Sequence, residues 1–241
     1  MNAFLARARL PGALVSIVAV FAMVNPAVAA ADTVTDWNAN ASSALFSAQD
    51  ARVATVHLAM VHGAVYDAVN AIDGGREGYL LSPRLATPTD SKDAAAATAA
   101  FRVLVSVVPV QQQTLTVQYE ASLAMIPDGS SRKRGIAVGE AAAAAMLAAR
   151  TDDGRFGPFR FLLGMVPGAW RPVLPVFVND PIAWLKDVKP FLIHSSGQFR
   201  SKGPLSLTSR AYAREFTEVK SLGSATSTTR TADQTHAARY W

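Results

Sequence analysis

Apolar side chains recur at three- and four-residue steps through most of the first 150 positions, and each such run reads as a helix with one buried face. The first covers Asp32 to Ser47, with Trp37, Ala41, Ala44 and Leu45 on one side. A stronger one runs from about Asp50 to Ile72, with Ala54, Leu58, Val61, Val65, Ala68 and Ile72 as its stripe. Val53, Met60, Ala64 and Val69 widen that stripe, which predicts a central place in a bundle. Gly74-Gly75 should close the helix, because glycine takes the left-handed backbone at little cost. After a polar loop, Ser91 is placed to cap an Ala-rich helix that stops at Pro109. Further helices are predicted over Val110–Ile126 and Ser131–Arg150, separated by the turn Pro127-Asp128-Gly129.

The texture changes at Asp153. Proline and glycine recur too often up to Pro204 for regular helix to persist. Phe156, Phe159, Phe161, Trp170, Phe177, Trp184, Phe191 and Phe199 nevertheless make this stretch strongly aromatic, which a disordered linker is not. It reads as an ordered strap lying over the bundle. Helix returns at Thr208–Leu222, and Thr231 with Gln234 fits a capping box for a last helix ending at Tyr240-Trp241. Two large aromatics there call for a partner surface, and the expectation is a chain incomplete at its C-terminus. The predicted class is all-α: one helical domain over 31–241, with helices to 152, the irregular strap over 153–206 and terminal helices over 207–241.

The first thirty residues stand apart. Arg7 and Arg9 precede an apolar run from Ala13 to Val24, and Ala27-Val28-Ala29 supplies small residues for cleavage. This is the pattern of a signal peptide, too short to span a bilayer, so export to a periplasmic or extracellular location is expected with no stable membrane span afterwards. Removing Arg7 and Arg9 leaves 21 of the 23 Lys and Arg against 18 Asp and Glu, too weak an excess to point to nucleic acid. Arg132-Lys133-Arg134 is the one basic cluster and reads as a solvated helix face. There is no cysteine, which excludes disulfides, thiolate metal sites, a thiol nucleophile and a lipidated anchor.

Candidate chemistry is sparse. His57 and His62 are five apart on one helix and so lie on different faces, which rules out a shared metal. His62 with Tyr66, and Asp67 with Asn70, share faces and are expected to make buried hydrogen bonds. His194 falls in the strap, and His236 on the last helix has no acidic neighbour in sequence. Asp152-Asp153, at a helix end, should face water. Phosphate-cradling, nucleophile-elbow and dinucleotide motifs do not occur.

Met60-Val61-His62-Gly63-Ala64-Val65-Tyr66-Asp67-Ala68-Val69-Asn70-Ala71-Ile72 resembles a helix signature of bacterial vanadium-haloperoxidase-like proteins. Pro167-Gly168-Ala169-Trp170-Arg171-Pro172, Lys189-Pro190-Phe191 and Gln198-Phe199-Arg200 are similar to that family's strap, and Leu207-Thr208-Ser209, Glu218-Val219-Lys220 and Arg230 to Trp241 extend the likeness. The superfamily also holds the type 2 phosphatidic acid phosphatases. The resemblance implies the N-terminal half of such a protein. Vanadate or phosphate is held in that family by lysine, arginines and a glycine amide, with histidines as ligand or nucleophile and as acid–base. Three stretches approach the family's motifs by chance similarity only, since the resemblance assigns these segments to its noncatalytic front half. Arg171-Pro172 has Gly164 where lysine belongs, Ser196-Gly197 is followed by Gln198, and Ser209-Arg210 has Phe216 in place of histidine. No catalytic, cofactor-binding or metal residue is therefore assigned, and no cofactor is expected in this chain, whereas the complete family member would take vanadate. Two functions follow as expectations. One is an inactive front portion whose partner is a missing or separately encoded C-terminal catalytic half. The other is a noncatalytic exported helical protein that binds a partner through its aromatic strap and C-terminus.

Overall fold

A computed structural model describes residues 32–81 and 86–241; the expected signal peptide over 1–30 lies outside the described residues. The chain forms α1 (Thr33–Ala48), α2 (Ala51–Asp73), α3 (Lys92–Val107), α4 (Gln112–Ala124), α5 (Ser130–Ala149), α6 (Arg210–Gly223) and α7 (Ala232–Tyr240), with 3-10 turns at Pro109–Gln111 and Ala183–Asp187. No strand occurs among the described residues, so the fold is all-α as the periodicity predicts. Local chemistry fixes the ends. Asp32, Asp50 and Ser91 accept backbone N–H bonds at the starts of α1, α2 and α3, and Gly74 closes α2 at φ 66°. The helix expected over Val110–Ile126 is shorter, because the chain leaves Pro109 as a 3-10 turn before α4 begins.

The central helix is α3 rather than α2: it packs on α1, α2, α4 and α5. Its alanines 94–97, 99 and 100 are all buried, and their small size lets neighbours approach from every side. On α5, Gly135 and Gly139 complete that approach. A Cβ at Gly139 would strike the Ala95 carbonyl oxygen and stand 2.7 Å from Thr98 Cβ. At the other end of the core, Phe101 and Tyr119 stack at 4.4 Å, with Trp37 edge-on to both at 6.4 Å. Each such large side chain contributes roughly 1.5–3 kcal/mol by leaving water.

The strap is irregular, as expected, but it is fastened to the bundle at few points. Ile182 and Trp184 bury against Val53 of α2, and Arg52 Nη1 donates to Asp180 Oδ2 at 2.6 Å. Lys189 N donates to the Asp153 carbonyl oxygen at 2.7 Å, and Phe191 packs on the main core. Phe159, Leu185 and Val188 pack beside Trp184, and most of the strap's remaining apolar side chains face outward. Helices α6 and α7 bury no residue and pack on no other helix among those described.

Candidate docking face and the buried charges behind it

Where the strap leaves α5, three charges are taken out of water together. Arg150 and Asp153 are both buried. Arg150 Nε lies 2.8 Å from Asp153 Oδ2, a charge contact whose angle falls short of a hydrogen bond. Arg150 Nη1 donates to the Lys189 carbonyl at 2.8 Å, and its guanidinium lies 3.9 Å from the centre of the Phe191 ring. Arg155 donates to Asp153 Oδ1 at 2.9 Å, to the Arg150 carbonyl at 2.7 Å and to Met60 Sδ at 3.0 Å. The expectation that Asp152-Asp153 faces water is therefore corrected for Asp153. The turn beyond α5 carries it back between two arginines, while Asp152 stays exposed. Arginine three before and two after an aspartate was the available signal. This arrangement joins α5, α2 and the strap.

The four polar residues of the α2 signature divide. Asp67 and Asn70 are buried and hold the following loop: Asp67 accepts from the backbone N–H of Tyr79, Leu80 and Leu81, and Asn70 bonds Arg76 through both its amide atoms. His62 and Tyr66 are exposed, contrary to expectation. They lie on the side of α2 that α3 and α5 leave uncovered, where His62 meets Asn38 at 2.9 Å and the Tyr66 hydroxyl donates to the Glu77 carbonyl at 2.6 Å. His57, five residues before His62, is buried. His194 and His236 are exposed, in the strap and on α7. The basic cluster is only partly a solvated face. Arg132 donates to the Leu123 and Ile126 carbonyls and pairs with Asp128, and Arg134 Nε lies 2.5 Å from the buried Asp90. The Thr87 N–H, and then Arg134, hold the Asp90 carboxyl below its usual range against the opposing cost of burial.

The near-matches to an oxyanion site are occupied by local structure. Gly164 N donates to the Trp170 carbonyl, Gln198 accepts from the His194 N–H, Ser209 caps α6, and Phe216 stacks on Tyr212. Among the described residues, no three His, Asp or Glu side chains gather as a metal site.

A large outward apolar surface remains. The strap segment 162–178 is pinned at its ends by Asn179, which pairs with both backbone groups of Phe161, yet Leu162 is 91% exposed and Met165 85%. On α6, Tyr212, Phe216 and Val219 follow i, i+4, i+7 spacing and form one stripe, of which Phe216 and Val219 are mostly exposed. Tyr240 and Trp241 are exposed as well. Arg230 ties the last two helices together, donating to the Leu222 and Ser224 carbonyls and to Thr235 Oγ1. The stripe was readable in the sequence, where Phe216 drew attention only as the place of a missing histidine. No single helix among the described residues is long and apolar enough to cross a membrane.

No protein-family profile matches the chain, and no curated protein does. The crystal structure of the first bacterial vanadium-dependent iodoperoxidase has the same fold over 87% of this chain, with a TM-score of 0.65 and 17% identity. The fold is haloperoxidase-like. The matched region amounts to 55% of the iodoperoxidase chain, so this chain spans little more than half of that protein's length.

Proposed function

We propose that this chain is the noncatalytic helical half of an exported protein of the vanadium haloperoxidase and type 2 phosphatidic acid phosphatase superfamily. Its outward apolar face receives the helical half that carries the oxyanion chemistry. The observation that carries this reading is the fold likeness, in which the chain matches little more than half of the iodoperoxidase. Two features agree with it. The partial motifs lack the residues that would hold or activate an oxyanion, since Gly164, Gln198 and Phe216 offer no cation and no imidazole. An amphipathic helix such as α6 buries its stripe against another element, and α6 has none among the described residues.

Charge narrows the occupant. From residue 160 onward eleven Lys and Arg stand against five Asp and Glu, so the complementary face is acidic around an apolar centre. The catalytic half, on the same polypeptide or another, is expected to bind more weakly at high salt.

The test is vanadate binding followed by 51V NMR, with iodide and bromide oxidation and phosphate-ester hydrolysis assayed on the same sample. The chain alone should leave the vanadate resonance unchanged and be inactive in all three assays. Stoichiometric vanadate binding with turnover by this chain alone would overturn the proposal.

A further inference from the structure

The strap is fastened along one stripe of α2, and that stripe holds a single titratable side chain. Val53, His57 and Met60 follow i, i+4, i+7 spacing and so share a face of the helix. Ile182 and Trp184 bury against Val53, and Arg155 Nη1 donates to Met60 Sδ at 3.0 Å. Between them, the Phe156 ring lies 6.2 Å from the His57 ring and 5.0 Å from Trp184. Val53, Ile182 and Trp184 form a small cluster separate from the main core. His57, at the middle of the stripe, is 2% exposed.

The surroundings of this imidazole suit its neutral form. Gln49 Nε2 donates to the Val107 carbonyl at 2.8 Å, which turns the amide oxygen Oε1 towards His57 Nδ1, also at 2.8 Å. An amide oxygen only accepts, so Nδ1 carries the ring proton. Nε2 is sealed from solvent and has no hydrogen-bond partner among the described residues, so a proton added there would be buried without an acceptor. On the strap side the added charge would meet Arg150, Asp153 and Arg155, where two arginines and one aspartate already leave a positive charge uncompensated. The side chains that α3 and α5 bring beside it, Ser106, Leu147 and Thr151, are uncharged. Burial, and then Arg155, accordingly lower its pKa to about 4, although Asp153 opposes them. The strap's other charged fastening does not titrate in that range. The Ile182 N–H, and then Arg52, hold Asp180 below the usual carboxylate range, and Arg52 does the same for Asp50. Phe156 is itself poised to leave: it is 65% exposed, and its φ of 61° is a strained backbone that relaxes on release.

We infer that His57 is an acid-sensitive latch, whose protonation frees the strap around Phe156 and Trp184 from α2 while the bundle of α1 to α5 stays folded. This does not depend on the reading above. In the released state the ring takes up a proton near the ordinary value of 6.5. The latch is therefore complete above that pH and weakens as pH falls towards 4, by up to about 300-fold in its closing equilibrium.

The experiment is amide hydrogen exchange on the full chain between pH 7 and pH 4, expressed as protection relative to the intrinsic rate at each pH. The reporter is the Lys189 amide, which donates to the Asp153 carbonyl at the root of the strap, and the reference is the buried amides of α3. Lys189 should be less protected than α3 throughout and should lose about 100-fold of its protection over this range. In His57→Gln, whose side chain can still donate to Gln49, the loss should shrink to about threefold or less. Three results would each overturn the inference. One is Lys189 protection that stays below that of α3 but does not change with pH, since the opening would then leave His57 covered. Another is protection equal to that of α3 at every pH, which would make strap release and global unfolding one event. The third is an undiminished pH dependence in His57→Gln. The first two are read on the unmodified chain and decide the matter even if the variant does not fold.

Discussion

Residues 33–150 and residues 160–241 of this chain spend their apolar side chains in opposite ways. In the first region small residues dominate the contacts, and alanine and glycine on α3 and α5 bring helix backbones close enough to exclude solvent entirely. In the second the side chains are larger and more aromatic, yet Leu162, Met165, Phe216 and Trp241 stand in water. Apolar content alone therefore does not say what is core. Burial follows from geometry: a regular helix can present a continuous stripe to several neighbours, whereas the Pro- and Gly-rich strap can reach the bundle only where particular residues fasten it. Trp184 and the Arg150–Asp153–Arg155 cluster are those fastenings.

The sharpest way to break the contrast is at its seam. Asp153→Ala strands two arginine side chains in a buried position, and losses of this kind cost about 3–5 kcal/mol. Urea unfolding should show a drop of that size. Acid should act next. The unfolded His57 takes up a proton near the ordinary imidazole value of 6.5, while the folded ring resists protonation down to about 4. Stability contributed by this group is complete above that upper value and is lost as pH falls through the window, by up to about 3 kcal/mol. His57→Gln should flatten the stability profile between those limits. Within the bundle, Gly139→Ala pushes a methyl into the backbone of α3 and should cost about 1–3 kcal/mol. Gly203→Ala, which meets nothing within 4 Å, should be near neutral by the same melting assay. Smallest of all, Met165→Ser in the strap should change the stability of the isolated chain by no more than about 0.5 kcal/mol, because its side chain is already in water. The same substitution should weaken association with a catalytic half, as read by calorimetry.

The bundle was legible because its signals are local and redundant. Trp37, Ala41, Ala44 and Leu45 are the buried positions of α1, as their spacing predicts, and Ser91, Gly74 and the Thr231–Gln234 box all serve as caps. What escaped is non-local. No periodicity announces that Asp153 turns back between Arg150 and Arg155. Nor does it reveal that α3 takes the centre by virtue of being smaller than α2, or that His62 and Tyr66 lie on the uncovered side of their helix. Composition marks the strap as aromatic but cannot tell the few aromatics that anchor it from the many that face out. The haloperoxidase-like fold was legible from the α2 signature and the strap segments.

Amide hydrogen exchange on the full chain, at a concentration where sedimentation shows a monomer, tests the division most directly. Amides of α2, α3 and α5 should exchange only through global unfolding, whereas those of residues 162–178, α6 and α7 should exchange by local opening at far lower free energy. Protection of α6 and α7 equal to that of α3 in the monomer would contradict the account, because it would mean that the outward face is already covered by its own chain.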